Sequence, residues 1–68
     1  MNPKITIQKF HDEKYGKRLR IMTEKELIGV IGDDGSFEPM TAYPILPDTL
    51  NQIAIIANNF ELFYNRQP

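Results

Sequence analysis

The segment PDTLNQIAIIANNFELFY, residues 47–64, is the one long stretch of this 68-residue chain in which apolar side chains recur at helical spacing. At 100° per residue they fall on one broad face, which is typical of a helix packed against a core. Pro47 suits the first turn of a helix and Asp48 suits its positive end, whereas Pro68 cannot lie inside a helix. We therefore predict one amphipathic helix over about residues 47–65. Its buried face would hold Leu50, Ile53, Ile56, Ala57, Phe60, Phe63 and Tyr64.

Four short segments before this helix have the composition of β-strands, at about residues 4–10, 17–23, 26–31 and 36–40. Polar loops that contain glycine join the first to the second and the third to the fourth, which favours two β-hairpins. Residues 23–32 also fit a short helix, because Thr23 and Glu26 have capping-box spacing. Gly29 favours the strand, in which it would mark a bulge or a close approach of another backbone.

The fold class predicted from these elements is α+β: a small antiparallel sheet of three to four strands packed against one C-terminal α-helix. Sixty-eight residues form one domain, residues 1–68. The expected core has two layers. The sheet would provide Ile5, Ile7, Leu19, Ile21, Ile28, Val30 and Phe37, the helix Leu50, Ile53, Ala57, Phe60 and Tyr64, and the link between them Tyr43, Ile45 and Leu46.

Composition excludes several classes of protein. The chain has no cysteine, so disulfide bonds, thiolate metal sites and cysteine nucleophiles are ruled out. No apolar run is long enough to span a bilayer, and MNPKITIQKF at 1–10 lacks the apolar core of a secretory signal. We therefore expect a cytoplasmic protein that does not bind membranes. A domain of this size buries only about 60% of its unfolded surface, which favours association with a partner.

No residue pattern predicts catalysis or a cofactor. His11 is the single histidine and has no further ligands at metal-site spacing. Asp33 and Asp34 lie in GDDGS, where turn chemistry explains them, and the glycines match no phosphate-binding fingerprint. We expect a protein that is not an enzyme and has no cofactor or metal.

Charge is divided unequally along the chain. Residues 1–25 have seven basic and three acidic side chains, net +4, whereas residues 26–68 have one basic and six acidic, net −5. The basic side chains concentrate around the first hairpin, where aromatic residues are interleaved with them. This pattern gives a candidate surface for a polyanion or an acidic partner. Its residues are Lys14, Tyr15, Lys17, Arg18 and Arg20.

A second, narrower apolar stripe runs along the predicted helix. Ile55 and Leu62 are seven residues apart and lie away from the main stripe, with amide side chains around them. They are either ordinary exposed apolar residues or a seam for a second copy or another protein. The candidate partner-binding residues are Ile55, Leu62, Asn51, Asn58 and Asn59.

Three functions follow from these observations as hypotheses. The first is a small non-enzymatic interaction protein that binds and regulates or inhibits a protein partner, by self-association or in a hetero-complex. The second is a nucleic-acid-binding module that uses the basic hairpin, against which the sequence pI of about 5.7 argues. The third is a structural subunit of a larger assembly.

Overall fold

The computed structural model describes residues 4–24 and 26–68. Its sheet has four antiparallel strands in the order β1-β2-β3-β4, so that β1 and β4 are the edge strands. The predicted α+β class and the two hairpins are confirmed. The elements are β1 (Thr6–Asp12), β2 (Gly16–Met22), β3 (Leu27–Gly32), β4 (Phe37–Pro39), α1 (Pro47–Asn58) and α2 (Phe60–Arg66).

Both hairpin turns lie at the same end of the sheet and are closed by aspartate side chains. Asp12 Oδ1 accepts hydrogen bonds from the backbone N–H groups of Lys14 (2.7 Å) and Tyr15 (2.9 Å). In the second turn Asp34 Oδ1 accepts from the N–H of Ser36 (2.9 Å). Gly35 has a φ of 84°, a backbone conformation that residues with a Cβ rarely adopt. These turns place the first hairpin loop and residues 33–36 side by side.

Strand pairing divides the sheet into two faces. One cross-strand row, on the face that packs against the helices, consists of Lys9, Leu19, Ile31 and Phe37. The neighbouring row consists of Gln8, Arg20, Val30 and Glu38. Successive residues of a strand point to opposite faces, so this second row lies on the outer face of the sheet.

The core between sheet and helices is largely as predicted, with four corrections. Its buried residues are Leu19, Ile21, Ile28, Ile31, Ile53, Ile56 and Phe60, and around them pack Ile5, Ile7, Phe37, Ile45, Ala57, Phe63 and Tyr64. Leu50 is exposed, as are Tyr43 and Leu46 of the link, so placing these three in the core was wrong. Val30 is buried but lies on the outer face, and Ile31 occupies the core position instead.

A β-bulge explains the exchange of Val30 for Ile31. Ile21 pairs with Gly29 and Met22 pairs with Leu27, so Ile28 is an extra residue in β3 and the register shifts there. One inserted residue reverses the face of every later side chain. The strand interpretation of this segment is confirmed, with a bulge beside Gly29 and a close backbone approach at it.

The predicted single helix is two helices, separated at Asn59. In a continuous α-helix the N–H of Asn59 would donate to the carbonyl of Ile55. Instead its side-chain Nδ2 donates to that carbonyl (2.8 Å), and its backbone N–H donates to Ile56 (3.1 Å). The side chain thus competes with its own backbone, and α1 ends at Asn58.

Candidate functional surfaces

An apolar groove lies between the edge strand β1 and the helices. It has a volume of about 190 Å³ and is lined by Ile5, Ile7, Gln52, Ile55, Ile56 and Phe63. We call it the β1-edge groove. Ile55 is 56% exposed, whereas Ile5, Ile7 and Phe63 are half-buried. Apolar side chains therefore remain open to solvent directly beside the side of β1 that no other strand of the sheet covers.

Leu62, the other member of the predicted stripe, lines a different groove. That groove has a volume of about 550 Å³ and is bordered by Asp33, Asp34, Gly35, Ala57, Asn58, Asn59, Phe60, Glu61 and Leu62. Leu62 is 51% exposed there. The break at Asn59 separates α1, which holds Ile55, from α2, which holds Leu62. Asn58 and Asn59 accompany Leu62, and Asn51 is exposed on α1 and lines neither groove.

The predicted basic surface is divided between the two faces of the first hairpin. Arg18 and Arg20 lie on the outer face, whereas Lys17 pairs with His11 on the helix side. Lys14 lies in the turn, with its Nζ 5.2 Å from the centroid of the Tyr15 ring. The five residues of this candidate site thus do not share one surface.

Most of these cations already have partners within the chain. Arg18 Nη2 is 3.3 Å from Glu38 Oε2, and Lys17 Nζ is 3.3 Å from Glu61 Oε2. Each ion pair joins the basic N-terminal part of the sequence to the acidic remainder. The charge asymmetry of the sequence is therefore partly neutralised inside the fold.

Aromatic rings accompany the cations on both faces. On the outer face the Arg20 guanidinium lies 4.6 Å from the centroid of the Phe10 ring, and Arg20 Nη1 donates to Gln8 Oε1 (2.7 Å). On the helix side the ammonium groups of Lys9 and Lys17 both lie over the Tyr64 ring, at 5.4 and 5.5 Å. Such contacts attract cations to the ring face and fix the orientation of long side chains.

The aspartates of the two turns are held in their charged forms. The backbone N–H groups of Tyr15 and Lys14 lower the pKa of the Asp12 carboxyl. The side chain and then the backbone N–H of Ser36 lower the pKa of Asp34. Within residues 4–24 and 26–68 no three His, Asp or Glu side chains are grouped as a metal site would require. Turn closure accounts for both aspartates.

Sequence reasoning assigned Ile5, Ile7 and Phe63 to a core stripe and did not find the groove that they form with Ile55. The order of the strands did predict part of this site, because the first strand of an antiparallel meander lies at an edge of the sheet. The overlap of that edge with the helices was not visible, since it joins residues 5 and 7 with residues 52–63, which are distant in sequence.

The fold and surfaces define a small α+β domain, a four-stranded meander with two short helices on one face and an apolar groove at one sheet edge. Comparison of the chain with protein-family models, curated proteins and solved structures gave no match. Among the described residues, neither helix has the length and apolar character needed to cross a membrane.

Proposed function

We propose that this chain is a small non-enzymatic interaction protein that docks a segment of another protein in the β1-edge groove. Binding would regulate or inhibit that partner by covering the docked segment. The observation that carries the proposal is the coincidence of two features within residues 4–24 and 26–68: the edge of β1 that no other strand of the sheet pairs, and the exposed apolar groove beside it.

The physical basis is strand addition. An extended segment beside β1 would form backbone hydrogen bonds with the N–H and C=O groups that face away from β2. Every second side chain of that segment would point to the helix side, into the groove next to Ile5, Ile7 and Phe63. Burying these apolar surfaces adds stability, and the spacing of the side chains provides selectivity.

The test compares two exposed apolar residues on the helices. Ile55→Glu places a carboxylate in the β1-edge groove, and Leu62→Glu places one in the groove that Leu62 shares with Asp33 and Asp34. Both side chains are about half exposed, so neither change should unfold the protein. Proteins captured from nuclease-treated lysate should be lost with Ile55→Glu and retained with Leu62→Glu. Equal capture by both variants would reject the groove as the docking surface.

A second candidate function, nucleic-acid binding, draws support from the outer face. Phe10 and Arg20 on one side, and Tyr15 and Arg18 on the other, form two contacts between an arginine and an aromatic ring. Such groups stack on unpaired bases and neutralise phosphates. The ion pair of Arg18 with Glu38 and the net charge of −1 weigh against this function, so we place it second.

A further inference from the structure

We propose that a second copy of this chain occupies the β1-edge groove, with residues 4–8 of the two copies, which run from just before β1 into its first residues, paired antiparallel about a two-fold axis at Thr6. The inference rests on the proposed function, because it names one occupant of the same groove. Three observations carry it: the neutral lining of the groove, the sequence register of β1, and the residues that border the edge farther along.

The groove selects an uncharged segment. None of its lining residues carries a charge, so a charged side chain entering it would lose water without gaining a counter-ion. The edge itself presents ITIQ at residues 5–8, which is also uncharged, between Lys4 and Lys9. The same four residues therefore satisfy both roles, as the docking edge and as the docked segment.

Register selects Thr6 as the centre. A two-fold axis perpendicular to the sheet keeps the helix-side residues of both copies on one face. The axis must then pass between the two copies of one residue, which lie opposite each other. Centring on Thr6 pairs Ile5 with Ile7 of the other copy, twice. Centring on Gln8 would instead place Lys9 opposite Ile7 and His11 opposite Ile5, which brings polar groups to an apolar groove.

The far part of β1 is less suited to pairing. Lys9, which follows the paired segment, is directed to the ring of Tyr64. Edge lysines are a common means of preventing strand addition. Among the described residues, pairing about Thr6 spans residues 4–8, whereas pairing about Gln8 would span residues 4–12. The interface is short, so we expect a dimer that dissociates on dilution.

Single cysteines test this geometry, because the chain has none of its own. Paired residues have Cβ atoms about 4.5–5.5 Å apart, and residues two positions from the axis are about 13 Å from their copies. Thr6→Cys should therefore crosslink under mild oxidation faster than Gln8→Cys, which is also exposed on β1. Asn65→Cys, exposed on α2, measures random collision.

Solution mass over a concentration series completes the test. The wild type should shift from monomer to dimer, and Ile55→Glu should weaken the dimer at least about tenfold, a factor that corresponds to 1.4 kcal/mol. Preferential crosslinking at Gln8, or crosslinking at Thr6 no faster than at Asn65, would overturn the inference. If Thr6 fails while Ile55→Glu still abolishes capture of other proteins, the dimer is wrong and the proposed function stands. If Thr6→Cys crosslinks and Ile55→Glu still captures other proteins as the wild type does, the dimer stands and the docking of other proteins in this groove is wrong.

Discussion

Arg18 on β2 and Glu38 on β4 form an ion pair across the intervening strand β3. Val30 lies on this outer face, directly opposite both Arg20 and Glu38, and is only 4% exposed. Both helices that the structure describes pack on the other face, so we infer that neighbouring side chains of the outer face cover Val30. The two partners of the ion pair differ in exposure: the side chain of Arg18 is 14% exposed and that of Glu38 is 61% exposed.

We predict that Arg18→Ala lowers the free energy of unfolding more than Glu38→Ala does. The Arg18 side chain is largely buried, so its removal loses packing, whereas the exposed carboxylate of Glu38 contributes only a screened attraction. A double-mutant cycle between the two should give a coupling energy below about 1 kcal/mol. Arg18→Met, which keeps the stem and removes the charge, should recover most of the loss in urea unfolding. A loss in Glu38→Ala equal to that in Arg18→Ala would contradict this prediction.

Gly29 is the position at which the sheet tolerates no side chain. A Cβ there would lie 2.5 Å from the backbone oxygen of Glu38 and 2.5 Å from the Phe37 ring. We expect Gly29→Ala to destabilise the fold by about 1–3 kcal/mol, the usual cost of overpacking. The matched control is Gly16→Ala, which meets no atom within 4 Å and carries only the strain of a φ of 82°. Equal stability of Gly29→Ala and the wild type in chemical denaturation would refute the close approach.

The pH dependence of stability follows from the two turn aspartates. Their pKa values are lowered in the folded protein, so their contribution is complete above the ordinary carboxyl pKa of about 3.9 and is lost as the pH falls below it. The unfolding midpoint should therefore decrease below about pH 4. The double variant Asp12→Asn/Asp34→Asn keeps acceptor oxygens but cannot titrate, and its midpoint should change less with pH. An identical acid profile for both proteins would show that these carboxylates do not carry the effect.

The nucleic-acid alternative makes a separate prediction. Binding to a single-stranded oligonucleotide through the outer face should weaken steeply as salt rises and collapse in Arg18→Glu/Arg20→Glu. Arg20→Glu alone leaves the Arg18–Glu38 pair in place and should already reduce binding. Arg66→Glu on α2 is the control of equal charge change. Absence of binding at low salt, or binding that ignores salt, would exclude this function.

Local chemistry made much of the fold predictable. The Asp-Gly turn at residues 32–36, the alternation in the first two strands and the helical repeat from Pro47 depend on neighbours in sequence. The predictions that were wrong, the face of Val30 and the single helix, depend on long-range geometry or on a competing hydrogen bond. The bulge at Ile28 moved Val30 to the outer face, and the Asn59 side chain bonds the Ile55 carbonyl. Neither feature produces a periodic pattern of residues that could be recognised in the sequence.

The candidate surfaces were less predictable for the same reason. Alternation along β2 already separates Lys17 from Arg18 and Arg20, so the division of the basic residues between two faces could have been foreseen. Their partners could not, because Glu61 is 44 residues from Lys17 and Glu38 is 20 residues from Arg18. The β1-edge groove likewise joins strand and helix residues that are distant in sequence.

Amide hydrogen exchange at residue resolution tests the central claim most directly, because the two sheet edges serve as each other's control. It would be measured on the wild-type protein at low and high concentration, and again with a captured partner bound. Docking in the β1-edge groove predicts slower exchange within residues 4–8 in the associated state and unchanged exchange in β4. Unchanged exchange at residues 4–8, or protection gained in β4 alone, would contradict the account.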